Sequence, residues 1–360
     1  MRALVTGGAG YIGAHLVADL LTAGHDVVVL DDLSHGSTDD LARAQAIASR
    51  RAEFVLGRVG DPLRARAALA GVDVVFHLAA EKHVGESVRR PGHYFSRNVG
   101  EMAVLLREMN DAGVRRMVYS SSAAVYGPGA PGPIPETAAL RPGSPYGATK
   151  QMGEQMLADM TRHAGWSAVS LRYFNPVGAH PSGRLGESPE RANSLVARVL
   201  RALLCVDCPL TVFGTDYDTS DGSCVRDFVH VNDVSQAHLA ALAALDAPGH
   251  RVYNVGTGHG HSVREVLAVC AEIAGRPVPH RLGARRAGDA PVAVADCSKM
   301  ARELGFSAQH DLTAMLASAW VWAKKRRDAV CGETSAARPR GRGVEYAGLP
   351  VANSDVGLAK

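Results

Sequence analysis

Short apolar runs alternate with longer stretches of helical period along the first part of the chain. The apolar runs are nearly unbroken, which is typical of strands covered on both faces. They lie at Ala3–Thr6, Asp26–Leu30, Glu53–Leu56, Val72–His77, Arg116–Ser120 and Ser167–Arg172. Apolar residues recur at helical spacing between them, most clearly at Ile12–Thr22, Val99–Ala112 and Ser144–His163. Strand followed by helix, repeated in this way, predicts an α/β fold built on a doubly wound parallel sheet.

The pattern changes after Val177. Gly, Pro, Asp and Ser crowd residues 178–193 and 214–223, which predicts long loops. Helical runs recur at Leu195–Leu204, Val234–Leu245 and Val263–Ala274. This composition predicts a second, smaller lobe with irregular strands.

We therefore expect a first domain over residues 1–177 and a C-terminal lobe over 178–328. The chain is expected to return to the sheet within 228–255, near Phe228–Val231 and Val252–Val255. A last amphipathic helix follows Leu312, and the Ala-, Arg-, Gly- and Pro-rich residues 329–360 are predicted to form a disordered tail.

The composition of the 360 residues narrows the function classes. The net charge is only +3, so a dedicated nucleic-acid binder is not expected. The first strand begins almost at Met1, and the sequence has no apolar run long enough to span a bilayer. These features predict a soluble, cytoplasmic protein with neither a nucleic-acid nor a membrane partner.

One cysteine motif and one histidine motif are of kinds that occur in metal or redox sites. Cys205 and Cys208 form one CxxC, but a zinc site would need a second pair, so we interpret them as packing thiols. His259 and His261 flank a glycine without a third ligand and are interpreted as loop residues. The sequence therefore predicts no metal site.

A glycine-rich loop follows the first strand and opens the first helix. Its glycines Gly7, Gly10 and Gly13 would allow a tight turn, close approach of backbone N–H groups to a pyrophosphate, and close helix packing. The second strand ends in Asp31 and Asp32, where a carboxylate can bind the adenosine ribose hydroxyls and repel a 2′-phosphate. The combination predicts a Rossmann-type domain that binds NAD.

Three residues form a candidate catalytic set. Ser122 follows a strand, and Tyr146 and Lys150 lie one turn apart at the start of a helix. A free tyrosine has a pKa of about 10. We expect the lysine ammonium and a positive nicotinamide ring to lower that pKa, so that Tyr146 can take a proton from a sugar hydroxyl.

At these residues the chain resembles the extended short-chain dehydrogenases/reductases, and within them the UDP-glucose 4-epimerase family, over residues 1 to about 325. The most specific shared stretch runs from Arg172 to Gly183. The Asp-Gly-Ser of Asp221–Ser223 and the Val-Arg-Asp of Val225–Asp227 add to it, as does the segment Arg286–Asp289.

The resemblance implies a binding site for NAD and one for a UDP-sugar. The implied cofactor contacts, besides the three glycines and two aspartates, are Tyr11, Ile12, Leu33, Ser34, Gly36, Arg58, Val59, Leu78, Ala79, Ala80, Lys82, Asn98, Ser122, Tyr146, Lys150, Tyr173, Phe174 and Pro176. The implied substrate contacts are Lys82, Ser122, Tyr146, Asn175, Asn193, Ser194, Leu195, Thr211, Val212, Phe213, Arg226, Arg286, Asp289 and Ala293. Among these, Arg226 and Arg286 would clamp the diphosphate.

The resemblance also implies a reaction and an assembly. Tyr146 would deprotonate the C4 hydroxyl of the sugar, the C4 hydride would pass to NAD, and the keto sugar would turn before the hydride returns to its other face. Relatives of this kind commonly form homodimers through paired helices, here Val99–Ala112 and Ser144–His163.

Several positions depart from the family pattern. Arg58 stands where an aspartate would accept from the adenine, Glu101 follows Gly100 where Gly-Thr is usual, and Phe228 replaces a common tyrosine. Asn193-Ser194 replaces Asn-Asn, which weakens the amide contact expected there. Ala293 replaces a tyrosine, so a 2-acetamido sugar such as that of UDP-GlcNAc or UDP-GalNAc is expected to fit.

Three other functions stay open. A dehydratase would place acidic residues after the strand, where this chain has Ser122-Ala123-Ala124, but the unusual acid Glu81 keeps a specialised dehydratase in consideration. A net ketoreductase would need an exchangeable NAD(P)H. A nucleotide-binding regulator without catalysis is disfavoured by the complete set of Ser122, Tyr146 and Lys150.

Overall fold

A computed structural model of the chain describes residues 1–129, 132–190, 192–205, 208–286 and 289–336. The strands are β1 Arg2–Thr6, β2 Asp26–Asp31, β3 Glu53–Leu56, β4 Val74–His77, β5 Arg116–Ser122, β6 Pro133–Ile134, β7 Ser167–Tyr173, β8 Asn175–Val177, β9 Leu210–Phe213, β10 Val225–His230, β11 Gly249–Val255, β12 Gly260–Ser262, β13 His280–Gly283 and β14 Val292–Ala295. The helices are α1 Tyr11–Thr22, α2 Thr38–Ala48, α3 Pro62–Ala68, α4 Val84–Arg89, α5 Pro91–Tyr94, α6 Glu101–Asp111, α7 Pro145–Ala164, α8 Leu195–Leu204, α9 Val231–Ala240, α10 Val263–Ala274, α11 Ser298–Leu304 and α12 Leu312–Ala336.

The first domain is built on one parallel sheet. Within the described residues its strand order is β3-β2-β1-β4-β5-β7-β11, and every neighbouring pair is parallel. The order reverses between β1 and β4, which opens a crevice at the carboxyl ends of these strands. The predicted Rossmann-type fold is therefore confirmed.

Helices cover both faces of this sheet because its strands are apolar on both sides. Val5 and Val29 face a core shared with α1, α2 and α9. Leu4 and Val28 face the opposite core, which is shared with α3, α6 and α7. The two buried faces explain the unbroken apolar runs in the sequence.

The C-terminal lobe has its own small sheets and core. Strands β12, β10, β14 and β6 pair in that order, β8 pairs with β10, and β9 pairs with β13. Helices α8, α10 and α12 contribute to one apolar core beneath them. The predicted division at residue 177 stays a prediction.

The return to the main sheet needs a correction. Only β11, which contains Val252–Val255, joins the main sheet, where it pairs with β7. The strand that contains Phe228 pairs instead with β8, β12 and β14 in the lobe. Two nearby apolar runs look alike in sequence because both are buried, although they belong to different sheets.

Two helical segments also differ from the sequence prediction. A π-helical turn at Phe95–Gly100 joins α5 to α6, so the helix expected from Val99 begins earlier. Helix α12 continues to Ala336, so the first part of the expected tail is helical. Residues 337–360 lie outside the described residues.

Candidate active site

The glycine loop has the geometry that its sequence predicted. Gly7 has a φ of +72°, and a Cβ there would lie 2.7 Å from the backbone nitrogen of Ala79. A Cβ on Gly13 would lie 2.1 Å from the carbonyl oxygen of Gly7. Larger residues at these positions would push the loop away from α1 and from the end of β4.

The first turn of α1 is available to an anion. It begins at Gly10, which has no side chain to cap it, whereas Ser144 and Ser194 cap the first turns of α7 and α8. Unpaired N–H groups and the positive end of the helix dipole thus face the crevice between β1 and β4. These residues fit the pyrophosphate of a dinucleotide.

The two acids after β2 have different surroundings. Asp31 is buried and accepts hydrogen bonds from the backbone N–H groups of Ala9 and Leu33, at 2.9 and 2.8 Å. Asp32 is more open and bonds Ser34 and Arg97. Leu33, between this pair and Ser34, has a left-handed φ of 60°, which the Asp31 bond helps to hold.

The remaining cofactor positions surround the loop. Gly36 is buried against Ala9, since a Cβ there would lie 2.7 Å from the carbonyl oxygen of Ala9. The Tyr11 hydroxyl donates to the carbonyl oxygen of Gly178 at 2.7 Å, which ties the loop to the chain entering the lobe. Of the other predicted positions, Ile12 lies in the first turn of α1, Val59 follows β3, and Leu78, Ala79 and Ala80 follow β4.

The catalytic set comes together at the ends of β5 and α7. Ser122 pairs in register with Tyr173 on β7. The Lys150 ammonium donates to the carbonyl oxygen of Ser120 at 2.7 Å and lies 6.0 Å from the ring centre of Tyr146. The helix therefore presents Tyr146 and Lys150 to the end of the strand that carries Ser122.

Burial dominates the electrostatics of the catalytic set. Burial raises the pKa of Tyr146, and a hydrogen bond with the Ser122 side chain opposes that rise only partly. Burial lowers the pKa of Lys150 to about 7, against the opposing charge of Glu154. The lowering of the Tyr146 pKa that is expected from Lys150 together with a nicotinamide ring stays a prediction.

Sequence reasoning missed a buried ion pair behind the catalytic set. Arg172 on β7 donates to both carboxylate oxygens of Glu154 on α7, at 2.8 and 2.6 Å. The two side chains are 4% and 6% exposed, and Ser121 also donates to Glu154. Arg172 further donates to the Tyr126 hydroxyl at 3.0 Å. The i, i+4 spacing of Lys150 and Glu154 indicated only that Glu154 shares a helix face with Lys150, not that Arg172 is its partner.

Asn98 and Lys82, both predicted cofactor contacts, have protein partners. The Asn98 amide donates to the carbonyl oxygen of Glu81 and to Thr149, at 2.9 and 3.0 Å, and accepts from the Glu81 N–H at 2.8 Å. It thereby fastens the loop after β4 to α7. Lys82 is half exposed, and its ammonium lies 3.8 Å from Glu187 of the lobe.

Three arginines surround Phe213 and Asp289 in the part of the lobe that the structure describes. Arg226 and Arg286 approach the Asp289 carboxylate at 3.6 and 3.9 Å. The guanidinium carbon of Arg286 lies 4.2 Å from the Phe213 ring centre, and that of Arg198 lies 5.6 Å from it. The pKa of Arg198 is lowered by burial and by Arg286, so the cluster favours an anionic ligand. Arg198 had not been predicted from the sequence.

Strand register connects this cluster to the catalytic set. Asn175 on β8 follows Tyr173 by two residues and pairs with Phe228 on β10. Its amide donates to the carbonyl oxygen of Asp227 at 2.7 Å. Arg226, on the same strand, pairs with Ala293 on β14. The end of β7 is therefore connected through Phe174 and Asn175 to the strand that carries Arg226.

The other predicted nucleotide contacts divide by exposure. Thr211 and Phe213 share the more open face of β9, whereas Val212 is buried in the lobe core.

The predicted contacts at the start of α8 differ from one another. Ser194 caps α8 and donates to Glu187 at 2.6 Å, so its hydroxyl is engaged within the protein. Asn193 is exposed and Leu195 is half-buried. Ala287 and Gly288, between two of the contacts, lie outside the described residues.

The two cysteines of the CxxC motif, Cys205 and Cys208, are not buried. Cys208 is exposed and Cys205 is partly exposed, so Cys208 is not the packing thiol that was expected. Among the described residues, no group of three or more His, Cys, Asp or Glu could hold a metal ion. In the same part of the chain, no helix is both long and apolar enough to cross a bilayer.

Comparison with known proteins decides the family. The NAD dependent epimerase/dehydratase family matches residues 3–256. The chain belongs to this family. The chain is 42% identical to the UDP-glucose 4-epimerase of Bacillus subtilis, and the alignment covers 89% of this chain and 96% of that protein. The resemblance seen in the sequence is thereby confirmed.

Solved structures of the epimerase family agree. A UDP-glucose-4-epimerase from Stenotrophomonas maltophila, with bound NAD and formylated UDP-arabinopyranose, is 41% identical, with a TM-score of 0.87 over 91% of this chain and 99% of that chain. The UDP-Glc/GlcNAc 4-epimerase of Campylobacter jejuni is 36% identical, with a TM-score of 0.77 over 90% of this chain and 99% of that chain.

Proposed function

We propose that the chain is an NAD-dependent UDP-glucose 4-epimerase. The observation that carries this proposal is the register path from Ser122 through Tyr173 and Asn175 to Arg226. This path supports a proton-transfer set and a cationic nucleotide site that act on one bound molecule, together with a glycine loop whose geometry fits a dinucleotide. The chain is an isomerase, and NAD is its cofactor.

In the reaction the protein handles the proton and the orientation of the sugar. The Tyr146 phenolate oxygen takes the proton of the C4 hydroxyl and later returns it, while Ser122 hydrogen-bonds the same sugar oxygen. When bound, NAD supplies a positively charged ring that takes a hydride and gives it back. That positive charge adds to Lys150 and opposes the effect of burial on the pKa of Tyr146.

The substrate is held at its diphosphate, away from the reacting carbon. Arg226 and Arg286 bind the phosphate oxygens, and Arg198 adds positive charge beside Phe213. Because the anchor is at the nucleotide end, the oxidised sugar is free to turn and present its opposite face. The configuration at C4 is inverted because the diphosphate stays bound while the sugar turns.

Incubation with UDP-glucose tests the proposal. The expected product is UDP-galactose, resolved by anion-exchange chromatography and identified by NMR. A product lighter by one water would instead identify a dehydratase, and consumption of added NADH would identify a net reductase. Glu81, the acid that had kept a dehydratase in consideration, bonds His35 at 2.8 Å, which occupies it away from the catalytic set.

The substrate range is proposed to include 2-acetamido sugars. Ala293 is partly exposed and lies beside Arg226 in the strand register, so its small side chain leaves space next to the bound sugar diphosphate. UDP-GlcNAc should therefore be converted to UDP-GalNAc. Replacement Ala293→Tyr is expected to abolish this conversion and to spare UDP-glucose. Equal loss of both activities, or no turnover of UDP-GlcNAc by the parent, would contradict the proposal.

A homodimer is proposed as the assembly. Phe95 and Met152 are exposed on adjacent helical segments, and Val84 and Val88 are exposed on α4, which also contacts α7. Such an apolar surface favours burial against a second copy. Light scattering should give the mass of a dimer, and Met152→Asp should shift it toward the monomer. Cytoplasmic localisation stays a prediction from sequence.

A further inference from the structure

Two departures from the family pattern form one ion pair. Arg58, which replaces an aspartate at the end of β3, donates to the Glu101 carboxylate at the start of α6, with its Nε at 3.1 Å. The second oxygen of Glu101 accepts from the Gly60 N–H at 3.1 Å. The Arg58 side chain is therefore turned toward Glu101.

Arg97 links this pair to the ribose acid. Its Nη1 donates to Glu101 and its Nη2 to Asp32, both at 2.6 Å, and its Nε lies 3.7 Å from Glu81. The side chain is 17% exposed, so these contacts are partly shielded from water. One guanidinium thus faces three carboxylates that come from different elements.

These carboxylates occupy the place where the adenosine half of the cofactor is expected. Asp32 follows β2, Arg58 follows β3, and Glu81 follows β4, so strand ends on both sides of β1 are connected through Arg97 on the π-helical turn. Glu81 extends the connection to His35 at 2.8 Å and to His93 at 3.4 Å. We call Asp32, Arg58, Glu81, Arg97 and Glu101 the adenosine-edge network.

We propose that Arg97 is a positioning residue that keeps NAD bound by fixing Asp32 and the adenosine-edge network. Asp32 is 23% exposed and has Ser34 as its other partner. Without Arg97 its carboxylate would be free to turn away from the ribose, and Glu81 and Glu101 would repel it. Glu101 in turn holds Arg97 in place by accepting a hydrogen bond from its guanidinium. This inference rests on the proposed use of NAD.

The rate of cofactor release tests the role of Arg97. Holoenzyme of the parent and of Arg97→Gln is loaded with labelled NAD, chased with excess unlabelled NAD, and sampled for retained label. Release is expected to be about 10–100-fold faster in the variant, as for loss of one charge-assisted hydrogen bond. Saturating NAD should restore kcat, because the catalytic set at α7 is unchanged.

Matched variants separate this role from a general loss of folding. Arg90→Gln removes a surface arginine, 59% exposed, that pairs with Glu86, and should release NAD at the parental rate. Arg97→Lys should be intermediate, since it keeps the charge and loses the fork. Glu101→Gln, which leaves Arg97 beside Asp32, should speed release by less than Arg97→Gln does.

The proposal would be overturned by parental release rates in Arg97→Gln that is folded, as judged by its melting temperature. Loss of kcat that saturating NAD does not restore would also overturn it. Because retention of NAD is measured without any sugar nucleotide, its outcome is independent of the substrate assay. A parent chain that holds NAD but does not convert UDP-glucose would contradict the proposed function alone.

Discussion

The catalytic end and the adenosine edge lie on the same sheet but are built differently. At the ends of β5 and β7, the Glu154–Arg172 pair is almost fully buried, at 6% and 4% exposure. At the ends of β2 to β4, the Arg58 side chain of the adenosine-edge network is 55% exposed. Both charges are therefore enclosed in the first region, whereas in the second the outer partner, Arg58, reaches solvent.

This difference shows how much each region can change. Proton transfer needs fixed distances in a site of low dielectric, so a buried network allows little substitution. The cofactor's polar end can be held by several combinations of exposed charges. Arg58 and Glu101, which both depart from the family pattern, compensate each other in this way.

The largest effect is expected for Tyr146→Phe in the catalytic region. The variant keeps the ring and loses the proton acceptor, so turnover of UDP-glucose should fall by about 10²–10⁴-fold. Retention of NAD and the melting temperature should be unchanged, which distinguishes lost chemistry from lost binding. Turnover close to the parental value would show that another group moves the proton.

The next effect concerns stability behind that region. Glu154→Gln leaves the Arg172 guanidinium buried without its carboxylate, which is expected to cost about 3–5 kcal/mol of unfolding free energy. Urea denaturation measures this loss. Glu154→Gln combined with Arg172→Met should recover much of it, because no unpaired charge then remains buried. Equal losses in the single and double variants would contradict this account of the pair.

A smaller effect is expected from the corresponding change at the adenosine edge. Arg58→Gln removes an exposed partner of Glu101 and should alter unfolding free energy by about 0–1 kcal/mol. The same denaturation measurement applies, with Glu53→Gln as a control, because the Glu53 side chain is 53% exposed and pairs with Arg2. A loss as large as that of Glu154→Gln would abolish the contrast between the two regions.

The smallest effect is a pH dependence at His35 and Glu81. Glu81 raises the pKa of His35, and His35 lowers the pKa of Glu81 to about 2. The stabilisation from charged His35 is complete below its ordinary pKa of 6.5 and is lost as pH rises through the raised value. The stabilisation from charged Glu81 is complete above pH 4.5, which is its ordinary pKa. It is lost as the pH falls toward the lowered pKa of about 2.

The free energy of unfolding should therefore differ most between the parent and His35→Asn when the pH lies above 4.5 and below 6.5. The difference should stay below about 1 kcal/mol because His35 is partly exposed. It should shrink at alkaline pH, and His163→Asn, on the exposed end of α7, should show no such trend. A difference that grows with rising pH would reverse the assigned sign.

Local patterns made much of this molecule predictable from sequence. The glycine spacing specifies the turn at Gly7 and the close packing at Gly13, because backbone sterics act within a few residues. The i, i+4 spacing placed Tyr146 and Lys150 on one face of α7. The contact of Gly13 with Gly7 and the pairing of Tyr146 with Lys150 both join residues that lie close together along the chain.

Contacts between distant residues were not predictable in the same way. Glu154 with Arg172, and Arg97 with Asp32, join residues from different elements that only the folded topology brings together. The burial that raises the pKa of Tyr146 is likewise a property of the folded structure, and the lowering expected from Lys150 together with the nicotinamide ring stays a prediction. The sheet to which β10 belongs likewise depends on distant partners.

The most direct test follows a deuterium label at C4 of UDP-glucose through turnover in ordinary water. If the hydride removed from C4 is kept within the enzyme and returned, UDP-galactose will carry deuterium at C4 in nearly every molecule. Loss of the label to solvent, with protium at C4 of the product, would contradict an epimerisation in which Tyr146 moves only the hydroxyl proton and bound NAD holds the hydride.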